Sequence, residues 1–339
     1  MAGTIAENID RLCTIEIRPA RGNLPRGVIN PLYAAARSDG APLTLRAAEG
    51  LVERVGPGDT VVILTGAGGP PVLPCGEVDG VPGTAALARA LVMGLGADVV
   101  VLTEERVAEP MRAAIWGASL NFTRDATPEV SNTVRFIPTA CGDEESEREA
   151  TMLFERESPV AVIAIEKLSP NSKGIIHGAT GLNYHDLHTN PKFIFDQAKE
   201  REILTIGIGD GGNEVGYGVI HSTVQDVMPA GRVCSCPCGG GSAASVATDV
   251  LVVGAISNWA AYGVAAMTSW LTERPHALVD SDDVERMIRG TVNAGAFDGA
   301  LGRPTISDDG VPLMGHRAMV DLLSTILAVG GTDLDSPGH

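Results

Sequence analysis

The sequence predicts an α/β fold: a largely parallel or mixed sheet flanked by helices, with a site at the carboxyl ends of the strands. Two observations carry this. Short aliphatic runs alternate with helical patterns from residue 60 to residue 329, the signature of strand–helix units around a sheet. Polar residues able to do chemistry then fall just after the runs, where open parallel sheets bind ligands.

The runs are "TVVILTG" (60–66), "ADVVVLT" (97–103), "TVRFIPT" (133–139), "VAVIAIE" (160–166), "ILTIGIG" (203–209) and "TDVLVVGAI" (248–256). Continuous aliphatic strands suit a sheet covered on both faces. Helical patterns lie at 83–96, 104–118, 143–157, 191–202, 257–271, 281–293 and 315–329. Residues 1–57 read as an N-terminal wrapping segment, 58–330 as the α/β domain, and 331–339 as a C-terminal tail.

Composition narrows the function. The 339 residues carry a net charge of −17, with 44% hydrophobic and 4% aromatic residues. An acidic surface repels nucleic acid and anionic lipid, which need basic patches, so neither is expected as a partner. The N-terminus "MAGTIAENIDRLC" lacks the basic start and apolar core of a signal peptide. No uninterrupted apolar run reaches about 18 residues, so no membrane span is expected. The expected location is cytoplasmic. The expected partner is a small anionic substrate, an amino acid or a lactam, with a homo-oligomer as an open possibility.

The segment "GIGDGGNEVGYG" (207–218) matches the dinucleotide pattern G-x-G-x-x-G through Gly207, Gly209 and Gly212. Yet Asp210 and Glu214 share the turn, and like charges a few ångströms from a phosphate are costly. A carboxylate site for a hard cation or for proton transfer is the preferred reading. A nucleotide loop and a plain glycine turn are the alternatives.

Other strand ends add candidates. Glu77 and Asp79 lie two apart in "CGEVDGVPGTAALARAL" (75–91) and can share a divalent cation or a substrate ammonium group. Gly80 and Gly83 allow close backbone approach. Gly83 and Thr84 open a helix, whose free N–H groups favour an anion. Glu166 closes a buried strand and needs a partner, for which Lys167 is the structural candidate. Ser257 and Asn258 start a helix, either as caps or with the Asn258 amide aimed at a ligand.

Two stretches stand apart. "NSKGIIHGATGLNYHDLHTN" (171–190) has the glycines of a lid, plus His177, His185 and His188, a weak metal signal. "CSCPCGGGS" (234–242) resembles a metal or redox motif, but its C-x-C-x-C spacing does not match paired C-x-x-C knuckles. It reads as a small-residue turn outside the active site, although three cysteines can hold a soft metal.

In this order, "EVDGVPGTAALARAL", the strand-ending "AIE", "GIGDGGNEVGYG" and "TDVLVVGAISNWAAYG" resemble the D-glutamate cyclase family, as does "GAFDGALG…DDGVPLMGH" (295–316). The likeness spans roughly residues 60–329. It implies a hydro-lyase interconverting D-glutamate and 5-oxo-D-proline plus water, with a divalent cation, Mg²⁺ or Mn²⁺. The residue reading and the resemblance together put Glu166, Asp210, Glu214 and Asn258 in catalysis. They put Gly80, Gly83, Thr84, Asn213 and Ser257 on the substrate, and Glu77, Asp79, Asp210, Glu214 and Asp249 on the metal, with Asn213 and Asp249 implied by the resemblance alone. The chain departs from the family pattern at Val78 and Val81 of "EVDGVPG", at Ala260, over 172–190, and in the cysteine-rich stretch, which looks like an insertion. Two other functions fit the same residues: a cation-dependent hydrolase of another cyclic amide or small acid, or a nucleotide-binding regulatory protein.

Overall fold

The computed structural model describes residues 2–20, 24–125 and 130–330; the expected tail 331–339 lies outside the described residues. Seven strands form the main sheet: β1 (Thr60–Thr65), β2 (Asp98–Glu104), β3 (Asn121–Thr123), β4 (Thr133–Thr139), β5 (Ala161–Ile165), β6 (Leu204–Gly209) and β7 (Val250–Val253). Their order is β3-β4-β2-β1-β5-β6-β7, and every pairing is parallel. The fold is therefore α/β, as the sequence predicts. Five of the six runs give strands within one residue of each end or nearly so. The short edge strand β3 has no aliphatic run to announce it.

The chain steps outward from β1 in both directions. β2, β4 and β3 lie on one side, and β5, β6 and β7 on the other. The β1/β5 boundary is thus a topological switch point, where crossing connections diverge and open a crevice at the strand carboxyl ends.

The helices are α1 (Ala2–Cys13), α2 (Ile29–Ala36), α3 (Leu43–Arg54), α4 (Val81–Arg89), α5 (Ala108–Gly117), α6 (Asp143–Glu157), α7 (Lys192–Glu200), α8 (His221–Val227), α9 (Ser257–Leu271), α10 (Ser281–Asn293) and α11 (Leu313–Gly330). Alternate strand residues face opposite layers. Val61, Ile63, Val99 and Val101 join the larger core beneath α3, α4, α5, α9 and α10. Val62, Leu64, Val100 and Leu102 pack with Leu153, Phe154, Ile194 and Phe195 of α6 and α7. Both faces are covered, which is why the strands read as unbroken aliphatic runs.

Helix α9 organises the larger layer. It is buried from Ser257 through Ser269, and its small residues let neighbours approach: a Cβ on Gly263 would meet Cys13 Sγ at 2.5 Å. α1, α3, α4 and α11 all pack on it. The helices of residues 1–57 bring Ile5, Ile9, Leu43, Ala47 and Leu51 into this same core. By length and composition alone α11 is long and apolar enough to cross a membrane, although His316, Arg317 and Asp321 interrupt its apolar sequence. Here its buried residues His316, Met319, Val320 and Leu323 belong to a helix that packs on α1, α9 and α10. A last hairpin, β8 (Ser307–Asp308) with β9 (Val311–Pro312), is antiparallel. Its turn, Asp309-Gly310, has positive φ at both residues (49° and 73°), the conformation that two-residue hairpin turns require.

Candidate active site

A cavity of about 220 Å³ opens at the carboxyl ends of the strands. Six acidic residues line it: Glu77, Asp79, Glu166, Asp210, Glu214 and Asp309. Among the described residues, no lysine, arginine or histidine does. The sequence-predicted carboxylates Glu77, Asp79, Glu166, Asp210 and Glu214 therefore share one cavity, and Asn213 joins them.

Glu166 follows β5 and sits at φ 48°, a left-handed conformation that is strained for a residue with a side chain. The turn separates it from its neighbour. Glu166 accepts the Ser257 hydroxyl at 2.5 Å, while Lys167 donates to Glu104 at 2.5 Å. Lys167 is thus not the partner of Glu166. Its charge joins a separate buried group with His188, which lies 3.2 Å from Glu104. Gly80 (φ 86°) is required beside Glu166, because a Cβ there would stand 2.7 Å from the Glu166 Cβ.

The loop 210–214 explains its glycines. The backbone N–H groups of Gly211 and Gly212 donate to Glu214 at 2.9 and 2.7 Å. The anion held by this turn is the protein's own carboxylate, so the N–H groups a phosphate would need are engaged. Asn213 donates its side-chain amide to His177 O at 3.1 Å, tying the loop to the 171–190 lid. That lid lines the cavity through Gly178, Ala179, Thr180, Leu182 and Tyr184.

Asp79 caps α9. It accepts the N–H groups of Ser257 and Asn258 at 2.9 and 2.8 Å, where the helix dipole favours a negative charge. Asn258 turns away from the cavity: it accepts Gly83 N–H at 2.6 Å and donates to Val78 O at 3.3 Å and Asp308 at 2.7 Å. Its amide holds α4, α9 and the last hairpin together rather than pointing at a ligand. The N-terminus of α4 is also no open anion site. Gly83 N–H goes to Asn258, and Thr84 returns both its N–H and its hydroxyl to Gly80 O. Asp249 is placed elsewhere altogether. It precedes β7, at the amino ends of the strands, where it accepts Thr205 N–H at 2.8 Å and the Thr205 hydroxyl at 2.7 Å. The histidine pair also separates: His188 faces Glu104, and His185 lies 3.5 Å from Asp143.

Two residues escaped the sequence reading. Arg18 enters from the N-terminal segment and forms a buried ion pair with Asp210, with Asp309 at 3.2 Å on the same nitrogen. Asp309 arrives on the β8–β9 turn. An Asp-Gly pair between two short strand-like stretches was the signal for that hairpin. Nothing in "RPARGNLPRG" marks Arg18 out from its neighbours.

The electrostatics follow from crowding. Burial raises the Glu166 carboxyl well above the carboxylate range, reinforced by Glu214 and Asp210. Burial does the same for Asp210, against the pull of Arg18. Glu214 is raised by burial, although the backbone N–H groups it accepts work the other way. Asp79 is pushed up to about 7 by burial and by Asp309. One guanidinium cannot neutralise this many acids, so protons or a bound cation must complete the balance. The oxygens fall into two groups that could hold a metal ion, Glu166–Asp210–Glu214 and Asp79–Asp210–Asp309. Glu77 lines the cavity but belongs to neither group.

The comparisons with known proteins point to one family. The family model described as D-glutamate cyclase-like, C-terminal, matches residues 26–324. D-glutamate cyclase, mitochondrial, from Homo sapiens is 27% identical over 195 residues, which cover 56% of this chain and 29% of that relative. The matched region is thus under a third of the relative's length. A cavity walled by carboxylates at the switch point of a parallel sheet, and a family match over most of the sequence, lead to one statement: the chain belongs to the D-glutamate cyclase-like family, in its C-terminal part.

Proposed function

We propose that the chain is a hydro-lyase interconverting D-glutamate and 5-oxo-D-proline plus water. The observation that carries this reading is the cavity wall: six acids that differ in their hydrogen-bond partners, around a space suited to a small metabolite. In ring closure the α-nitrogen bonds to the side-chain carboxyl carbon and a C–O bond breaks. Two protons leave nitrogen, and two reach the oxygen that departs as water. Coupled carboxyls suit this traffic, because one can be ionised while its neighbour keeps a proton. Glu166, without a cationic partner in the described contacts, is the proposed proton carrier. Glu77, on the cavity wall beside Asp79, is the proposed acceptor of the ammonium group.

A divalent cation, Mg²⁺ or Mn²⁺, fits the donor set. All the donors are hard oxygens, and the buried negative charge exceeds what Arg18 can offset. Asp210 and Glu214 of the Glu166–Asp210–Glu214 group would hold the ion and leave Glu166 to carry the proton, whereas both Asp210 and Asp309 of the other group are engaged by Arg18. When bound, the ion supplies Lewis acidity and positive charge for a dianionic substrate. The cytoplasmic location expected from the sequence belongs to the same proposal, beside a relative whose name places it in mitochondria.

The decisive test is chiral product analysis with D- and L-glutamate and with both enantiomers of 5-oxoproline, with and without chelator. Turnover of the D-enantiomers that stops on chelation supports the reading. Turnover only of other lactams, or none at all with Mg²⁺ or Mn²⁺ present, refutes it.

A further inference from the structure

We propose that His177, Cys234, Cys236 and Cys238 form a structural zinc site that fastens the lid over the carboxylate cavity. The site is separate from that cavity, and the proposal does not depend on the reaction assigned to it.

The four donors converge although His177 lies 59 residues before Cys236. Cys234 Sγ is 3.5 Å from Cys236 Sγ and 3.3 Å from Cys238 Sγ. His177 Nε2 is 3.2 Å from Cys236 Sγ and 3.7 Å from Cys238 Sγ. Each residue offers one ligand atom, all within 4.8 Å of one another. A tetrahedral ion with Zn–S near 2.3 Å and Zn–N near 2.0 Å has ligand–ligand edges of roughly 3.4–3.8 Å. The observed separations cluster around those edges. They are far longer than the roughly 2.05 Å of a disulfide, and all six cysteines are free.

The surroundings complete the case. His177 Nδ1 faces Ile175 O at 3.0 Å. Donation there puts the hydrogen on Nδ1 and leaves the Nε2 lone pair facing the sulfurs, the usual outer support of a metal-bound histidine. Gly240 N–H and the Asn171 amide approach Cys238 Sγ at 3.4 and 3.6 Å. Such N–H contacts stabilise a thiolate. Three sulfurs and one imidazole make a closed Cys₃His set, with no position left for substrate, so the role is structural. Soft thiolates in a tetrahedral arrangement select zinc over the hard cations suited to the carboxylates.

The site joins two loops. His177 belongs to the lid, whose next residues, Gly178, Ala179 and Thr180, line the cavity. The cysteines belong to the 234–242 turn, and Ser235 donates both its N–H and its hydroxyl to Gly181 O at 3.3 and 3.0 Å. The ion would therefore set the position of the lid wall.

The test is metal analysis of the full chain, purified under reducing conditions without chelator. We expect about one zinc per chain, falling to under about 0.1 in a Cys236→Ser/Cys238→Ser double variant. His177→Cys is expected to keep the zinc in a Cys₄ set. Replacement by Co²⁺ should give thiolate-to-cobalt charge-transfer absorption and the d–d bands of a tetrahedral site, which Mg²⁺ or Mn²⁺ on carboxylates cannot mimic. Chelation should speed proteolytic cleavage within 171–190. A wild-type chain that neither carries zinc nor takes up Zn²⁺ or Co²⁺, zinc retained by the double variant, or iron in its place would overturn the site. Cleavage unchanged after zinc removal would overturn its lid-fastening role.

Discussion

Arg18 and Asp210 stand 192 residues apart in the chain and close a buried ion pair beside the carboxylate cavity. Asp309 shares the same guanidinium. Removing one partner from a buried pair leaves an uncompensated charge, at a cost of about 3–5 kcal/mol. Arg18→Met should therefore lower the urea midpoint strongly. Adding Asp210→Asn should recover part of the loss, and a double-mutant cycle measures the coupling. Strictly additive effects would show that the pair contributes nothing to stability.

Glu166 predicts a pH signature. Its carboxyl is raised by burial, so the folded chain keeps a proton that the unfolded chain releases. Stability from such a group is full below the ordinary carboxylate range and is lost as pH rises toward the folded value. Asp79, raised to about 7, adds to the same trend. Glu166→Gln should match wild type in melting temperature near pH 4 and exceed it by about 2–4 °C near pH 8 in chelator. Calorimetry at both pH values checks this. A difference that does not grow with pH would mean that Glu166 holds no extra proton. Mg²⁺ or Mn²⁺ should reduce the gap by stabilising the ionised wild-type carboxylates.

Lys167 separates structure from chemistry. It is buried against Glu104 and is not among the residues that line the cavity with Glu166. Lys167→Met should cost about 3 kcal/mol of stability and leave turnover per folded molecule within about twofold. Glu166→Gln should do the reverse, with stability held near pH 4 and turnover lost. Denaturation curves set beside turnover per folded molecule separate the two.

Asp249 supplies the control for the proposed chemistry. Asp210→Asn and Glu214→Gln should each reduce D-glutamate turnover by at least about 100-fold. Asp249→Asn should leave it unchanged, because Asp249 lies at the opposite end of the strands against Thr205. Chiral chromatography of the products reads all three. Equal loss in all three variants would point to a folding effect and defeat the assignment.

The sheet was legible because strands buried on both faces must be aliphatic throughout, and their carboxyl ends locate a crevice. Glu77, Asp79, Glu166, Asp210 and Glu214 were legible because ionisable groups at buried strand ends are costly without a purpose. Asp249 came from the resemblance alone, and its place against Thr205, away from the cavity, could be read only from the register of β6 and β7. Asn258 and Thr84 misled because a helix start offers N–H groups to protein and ligand alike. Only the packing of α4 on α9 decides which receives them. Arg18 was invisible, since its meaning depends on a contact almost two hundred residues away. The metal-like group of His177 and three cysteines was half visible: the sulfurs are adjacent in sequence, but the fourth donor comes from the lid.

The two residues gathered on Arg18 have a temporal consequence. Asp309 leaves the ribosome long after Arg18. Until the β8–β9 turn docks, the guanidinium lacks one of its two carboxylates, and Asn258 lacks its bond to Asp308. A nascent chain halted after α9 would already possess every strand of the main sheet and most of the acidic wall, yet it could not finish the cavity. The acidic wall would then close only once the β8–β9 turn has docked.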